Sequence, residues 1–248
     1  MSGGGGTFDP LTGEYSFFGS DGGGGGGFDG GSKGAWEVKN KWDDGFIDEY
    51  RQFVAGFVET LRKNKDEKFT CEDLALNLLI MFAAANNLPL SIKNGSNQDG
   101  YKPEDFNSIS DYYQKVALTT GASDLCTYDN VVQLNDYNSA QVGDLILVYN
   151  DEGRAHHTQV ITKVTENNIF VAQGNFESFW PRMRDYLLDP KNTDDPYSIG
   201  YKGANIQLGI YFKIDGDYYN TTLGEMYPKY LFNSQLGFYK WNFYGFNP

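Results

Sequence analysis

Apolar residues change their spacing part-way along this chain, and that change constrains the fold more than any other feature. Phe46, Ile47, Tyr50, Phe53, Val54, Phe57, Val58 and Leu61 recur at steps of three and four, which puts them on one face of a helix. Asp43 and Asp44 supply capping and favourable charge at its start, and Arg62, Lys63 and Lys65 stand where a helix C-terminus prefers cations. A second helix is expected from Cys71 to about Asn87, stopped by Pro89, and a third over residues 110–118. After Asn130 the runs "VGDLILVYN" (142–150), "HHTQVITKV" (156–164) and "NIFVAQGNF" (168–176) are short, β-branched or aromatic, and separated by turn residues. "IQLGIYFKIDGDYYN" (206–220) adds a strand with an Asp-Gly turn. Helices first and an antiparallel meander second give an α+β fold, with N-terminal helices packed on an antiparallel sheet.

The first stretch stands apart. Residues 1–34 hold most of two glycine tracts, and glycine at that density cannot offset its backbone entropy by burying side chains, so a flexible leader is expected before a single domain at 35–248. A phosphate-cradling loop would need a Gly-Lys-Ser/Thr ending between a strand and a helix, and the sequence offers neither. The net charge of −13 argues against tracking a nucleic-acid backbone. No charged-then-apolar signal segment and no run of about 18 apolar residues is present, so no membrane span is expected, and either the protein stays inside its cell or its export depends on something outside the chain. Two cysteines make no disulfide framework.

One of those cysteines is placed unusually, in "EKFTCEDLALNLLIMFAAANNLPL" (67–90) at the polar lip of the longest apolar run. Thr70 suits an N-cap and Asp73 completes a capping-box pattern, which puts Cys71 at the first helical position. There the free N–H groups and the helix dipole favour a thiolate. A nucleophilic thiol needs a base, and the only histidines are the adjacent pair opening "AHHTQVITKV". Strand alternation sets His157, Gln159 and Ile161 on one face and His156, Thr158 and Val160 on the other, so one histidine alone can face a given site. In the next strand, Gln173 and Asn175 share a parity and either can accept a hydrogen bond from an imidazole N–H. The set is a Cys-His-Asn type of arrangement. Adjacent histidines point to opposite faces and only Cys71 and Cys126 could join them, so a metal site is not expected. Cys126, in "SDLCTYDN", has neither cap nor apolar helix behind it and reads as structural.

These segments resemble the papain-like cysteine peptidase superfamily in its cell-wall branch, the NlpC-type and CHAP-type amidases and endopeptidases. "TCEDLALNLL" is similar to that family's cysteine at the start of its central helix, "QVGDLILVY" to its Gly-Asp-Leu strand, and "HHTQVITKV" with "VAQGNF" to its histidine strand and the strand that follows. The resemblance implies a papain-like fold with Cys71 as nucleophile, His157 as general base, and Asn175 or Gln173 as the residue that orients it. It implies hydrolysis of an amide bond in bacterial peptidoglycan, with the peptide stem as substrate and no cofactor or metal. A glycine-rich leader ahead of such a module also resembles the toxin end of Rhs-like polymorphic toxins, which implies an exported effector acting in a target periplasm or cell wall, with an immunity protein as partner.

The last thirty residues are crowded with aromatic rings that either cover one side of the sheet or form a sugar-stacking surface, with Trp180 and Trp241 as the candidates to line a groove. Two other readings stand beside the peptidoglycan hydrolase: the same catalytic set acting on a protein as protease or deamidase, and a non-catalytic glycan-binding module.

Overall fold

The two spacings become two layers. In a computed structural model, the described residues are 34–63, 68–174, 205–214, 217–222, 225–230 and 234–248, with two short strands at 7–9 and 14–16. Strands β1 (Thr7–Asp9) and β2 (Glu14–Ser16) pair with each other; the rest of the expected leader lies outside the described residues, apart from Gly34. Helix α1 (Asp44–Lys63) is capped by Asp43, whose Oδ1 accepts from the Phe46 N–H, and it buries the predicted stripe from Ile47 to Leu61. Helix α2 (Cys71–Ala85) is apolar all round, as only an internal helix can be, and Leu74, Leu76, Leu78, Leu79 and Ile80 are fully buried. It ends two residues before the expected Asn87. Asn87 itself adopts φ 53°, and Leu88 N–H reaches back to Ala83 O, so a left-handed asparagine closes the helix ahead of Pro89.

A short hairpin, β3 (Ile92–Asn94) and β4 (Asn97–Tyr101), precedes α3 (Ile109–Thr119) and α4 (Ala122–Thr127). Then come β5 (Val131–Gln133), β6 (Leu145–Tyr149), β7 (Ala155–Val164), β8 (Asn168–Gln173), β9 (Gln207–Ile214), β10 (Asp217–Thr222), β11 (Glu225–Tyr230) and β12 (Leu236–Trp241). These eight strands form one sheet in the order β11-β10-β9-β8-β7-β6-β12-β5, antiparallel throughout. The class is therefore α+β. The Asp215-Gly216 turn lies outside the described residues, although Ile214 pairs with Asp217 across it.

Each face of the sheet has its own core. Leu145, Leu147, Val160, Ala172, Tyr239 and Trp241 face α1 and α2. Ile146, Val148, Ile161, Val171, Tyr211, Tyr218 and Phe238 pack together on the other face. Five strand spacings separate β10 from β12, roughly 24 Å in a flat sheet, yet the Tyr218 and Phe238 rings are 5.4 Å apart. The sheet is curled into a half-barrel around this second core.

Of the C-terminal rings, Tyr239, Trp241, Phe243 and Phe246 cover the helix side, while Tyr218 and Phe238 fill the other face. β12 is inserted beside β6, and Trp241 is 1% exposed, its Nε1–H donating to the Tyr50 hydroxyl at 3.0 Å. Phe243 packs on Trp42 and Tyr50. Trp241 is thus corrected from a groove residue to a core residue; strand alternation turns it inward. Trp180 lies outside the described residues.

The Gly-Asp-Leu triplet at β6 has a structural cause. Gly143 holds φ 86°, and a methyl group there would lie 2.8 Å from Tyr50 Cε1. Asp144 closes the turn by accepting from Gln141 N–H, while its own carbonyl accepts from Ile161 N–H. Burial pushes the Asp144 carboxyl up to about 7, against opposing pulls from the Gln141 N–H, Arg51 and Lys240. A carboxyl raised on folding contributes stability that is complete below its unfolded value and lost as pH rises through about 7. The full span is on the order of 4 kcal/mol. Wild type should therefore lose more of its denaturation free energy between pH 5 and pH 8 than Asp144→Asn, measured by urea titration followed by tryptophan fluorescence; equal losses would refute it.

Candidate active site

Thr70 takes the N-cap position of α2 with extended backbone, φ −76° and ψ 175°, and Cys71 opens the helix. The Thr70 hydroxyl makes no capping bond, so only half of the expected capping box is present: Asp73 turns back onto the Thr70 N–H. The helix start is fixed instead by Gly174. A methyl group at that position would fall 2.1 Å from Thr70 O and 2.6 Å from Phe69 O. The end of β8 is thus pressed directly against the backbone that leads into Cys71.

This contact carries the thiol to the sheet. Val160 pairs with Ala172, so Thr158, two residues earlier, points its N–H toward the place where β8 stops. That N–H is directed at the Cys71 sulfur. The sulfur thus meets β7 one residue from His157, but on the helix side, whereas the His157 side chain leaves the strand on the opposite face.

The two share no hydrogen bond. The Cys71 thiol donates to Glu72 Oε2 at 2.7 Å. Cys71 is 2% exposed, and burial, followed by the Glu72 charge and this bond, pushes the thiol far above its usual range; the Thr158 N–H opposes them weakly. The expected thiolate is therefore corrected: a neutral thiol rests here, because desolvation and an adjacent carboxylate outweigh the helix dipole. Glu72 and Asp73 are both raised, chiefly by burial.

His157 projects into the concave side of the half-barrel, the face of Ile146, Val148 and Val171. Its Nε2 lies 2.7 Å from Gln173 Oε1. A carbonyl oxygen accepts only, so Nε2 carries the hydrogen and Nδ1 is left with the lone pair. Burial holds the imidazole below its ordinary value, against the Gln173 bond. It is neutral near pH 7. His156 occupies the bulge opposite the Val148–Tyr149 step and is exposed. Asn175 lies outside the described residues, so of the two candidate orienting residues the described contact belongs to Gln173.

Glu72, Gly174 and Tyr211 escaped the sequence reading as site residues, and Gln159 was placed on the His157 face without a role. Glu72 was visible as the next residue after the cysteine, but its side-chain direction was not. Among the described residues no group of three His, Cys, Asp or Glu could hold a metal ion, and no helix is long and apolar enough to cross a membrane.

Two outcomes follow from this geometry. Glu72→Gln removes the charge that raises the thiol, so Cys71 should be alkylated by iodoacetamide at pH 7.5 about 10-fold faster than in wild type, read by peptide mass spectrometry. Gly174→Ala should cost about 1–3 kcal/mol of stability by forcing backbone apart, and should also expose Cys71 to the reagent; an unchanged denaturation midpoint would contradict the close packing. No family model, curated protein or solved structure matches this chain.

Proposed function

We propose that the protein is a cysteine hydrolase of papain-like architecture that cleaves an amide bond in the peptide part of bacterial peptidoglycan. The observation that carries this reading is the meeting of the α2 N-terminus with β7: Cys71 against the Thr158 N–H, and His157 next in the chain with its ring held by Gln173. A tethered Nε2–H leaves Nδ1 as a proton acceptor at neutral pH. The thiol meets β7 on the helix side and the imidazole lies on the concave side, so the reading requires substrate binding to bring thiol and Nδ1 together past the edge of β7 that the end of β8 leaves open. Attack on the scissile carbonyl then moves the thiol proton to Nδ1, forms a tetrahedral oxyanion, and delivers the proton to the departing amine; water, deprotonated by the same nitrogen, releases the acyl group. The Glu72 N–H in the first turn of α2, which now faces the Cys71 sulfur and the Glu72 carboxylate, would serve the oxyanion once that carboxylate is displaced. The Glu72 contact suits a resting state in which the thiol is protected until substrate displaces the carboxylate. Export as an antibacterial effector, with an immunity protein as partner, is the setting this activity fits.

One observation favours a second reading, a non-catalytic binding module. A buried thiol held by a carboxylate is also what an inert cysteine looks like.

Incubation with purified sacculi separates the readings. Wild type should release soluble muropeptide fragments detectable by mass spectrometry, and Cys71→Ala and His157→Ala should each lower the rate at least ~10³-fold. Because the His157 pKa is lowered and the base must be neutral, the acid limb of kcat/KM should fall below the ordinary histidine value of about 6.5. Intact sacculi that nonetheless sediment the protein would establish the binding module; mass changes on proteins with sacculi untouched would point to the protease or deamidase.

A further inference from the structure

The concave face of the half-barrel carries a chain of side-chain hydrogen bonds across β7, β8 and β9. Tyr211 donates its hydroxyl hydrogen to Gln159 Oε1 at 2.7 Å. Gln159 Nε2 donates to Gln173 Oε1 at 2.5 Å, the same oxygen that lies 2.7 Å from His157 Nε2. Gln173 Nε2 in turn reaches Gln207 Oε1 at 3.4 Å. Tyr211, Gln159 and Gln173 are between 1% and 5% exposed, amid Ile146, Ile161 and Val171. Burying two primary amides in an apolar core is costly unless their hydrogens and lone pairs are matched. Apolar side chains of similar volume would fill the space at lower cost.

Such a chain has a direction. Each glutamine amide can turn over, exchanging its donor and acceptor ends, and the two orientations are satisfied in opposite senses. In the sense seen here the Gln173 oxygen faces the imidazole, which requires a hydrogen on Nε2. In the reverse sense Gln159 donates to the Tyr211 oxygen, Gln173 donates to Gln159, and the Gln173 amide also donates to Nε2, which forces the hydrogen of the ring onto Nδ1. Only the first sense leaves Nδ1 able to take a proton, and only it survives once the ring is doubly protonated, because both nitrogens then donate. As long as the Tyr211 hydroxyl donates to Gln159 Oε1, as it does here, turning over either amide breaks the chain.

We propose that Tyr211 and Gln159 are positioning residues that set the tautomer of His157, Tyr211 fixing the direction of the amide chain and Gln159 transmitting it to Gln173. The role of Nδ1 as base rests on the hydrolase reading; the tautomer itself does not.

Long-range ¹H–¹⁵N spectra of the full ¹⁵N-labelled chain, recorded above the histidine titrations, read the tautomer directly, with His156→Gln assigning the two rings. Wild-type His157 should be in the Nε2–H form by at least about 10 to 1. Tyr211→Phe should bring the two forms toward equal population while the remaining amide spectrum keeps its dispersion. Gln159→Met keeps the side-chain volume, removes both links at once, and should do the same; it stands in if the tyrosine variant fails to fold. An Nδ1–H ring in wild type overturns the proposal, as does an unchanged ratio in a folded variant. A ratio that shifts while sacculi stay intact with every protein would sink the hydrolase and leave the positioning role standing. Sacculus cleavage with an unmoved ratio would do the opposite.

Discussion

Everything that gives this protein a candidate site follows from one steric contact, the backbone of Gly174 against the carbonyls of Phe69 and Thr70. No side chain intervenes there, so the end of β8 and the start of α2 sit as close as two chains can. Most helices that cover a sheet are held off it by their side chains, at about 10 Å between layers. Here the first residue of α2 is drawn down to the level of the strands instead. Its sulfur meets a β7 N–H that the truncated β8 leaves without a ladder partner. The glycine touches no side chain of the candidate site, but it decides where the thiol can be.

Magnitudes explain why a cysteine at a helix N-terminus is nonetheless a thiol. The helix dipole contributes about 0.3–1 kcal/mol to an anion at an exposed first turn. Burial disfavours a charged group by several pKa units when it is complete, and Cys71 is nearly so. Glu72 adds like charge at hydrogen-bonding distance. The balance would differ with the carboxylate turned away and a polar substrate in its place, because both opposing contributions would fall together. A resting thiol here and a nucleophile in a filled site are therefore compatible states of one geometry, governed by which group faces the sulfur.

The layers of the fold were legible because each is written in a period: α1 from its three-and-four stripe, α2 from its apolar run, the meander from β-branched runs between turns. Cys71 at the start of α2 was legible for the same reason, since a cap residue is local, but strand parity could not say which face the helix would cover, and His157 points to the other one. What the sequence hid was long-range. The place of β12 beside β6, which buries Trp241, joins residues nearly a hundred positions apart. The sense of the sheet's curl, which sends His157 into a concave core, depends on Tyr218 meeting Phe238. Glu72 illustrates a smaller limit: adjacency in sequence said nothing about a rotamer that returns the carboxylate to the sulfur.

The two faces of the sheet show how differently a residue's neighbours can be chosen on one strand. Along β7, Val160 supports the helices, while Gln159 and His157 on the other face enter a network of amides and a phenol. Stability alone does not select that network, since each buried amide must recover its lost hydration through bonds that gain only about 1 kcal/mol apiece. A satisfied chain of this kind is instead rigid and directional, because turning any one amide breaks two bonds at once. Rigidity of that kind adds little to a core of valines and isoleucines, but it matters to an imidazole, the one side chain in the chain whose chemistry depends on which of its two nitrogens holds a hydrogen. The position of His157 at the mouth of the network, rather than at its centre, leaves one nitrogen of the ring bound by the protein and the other outside the amide chain.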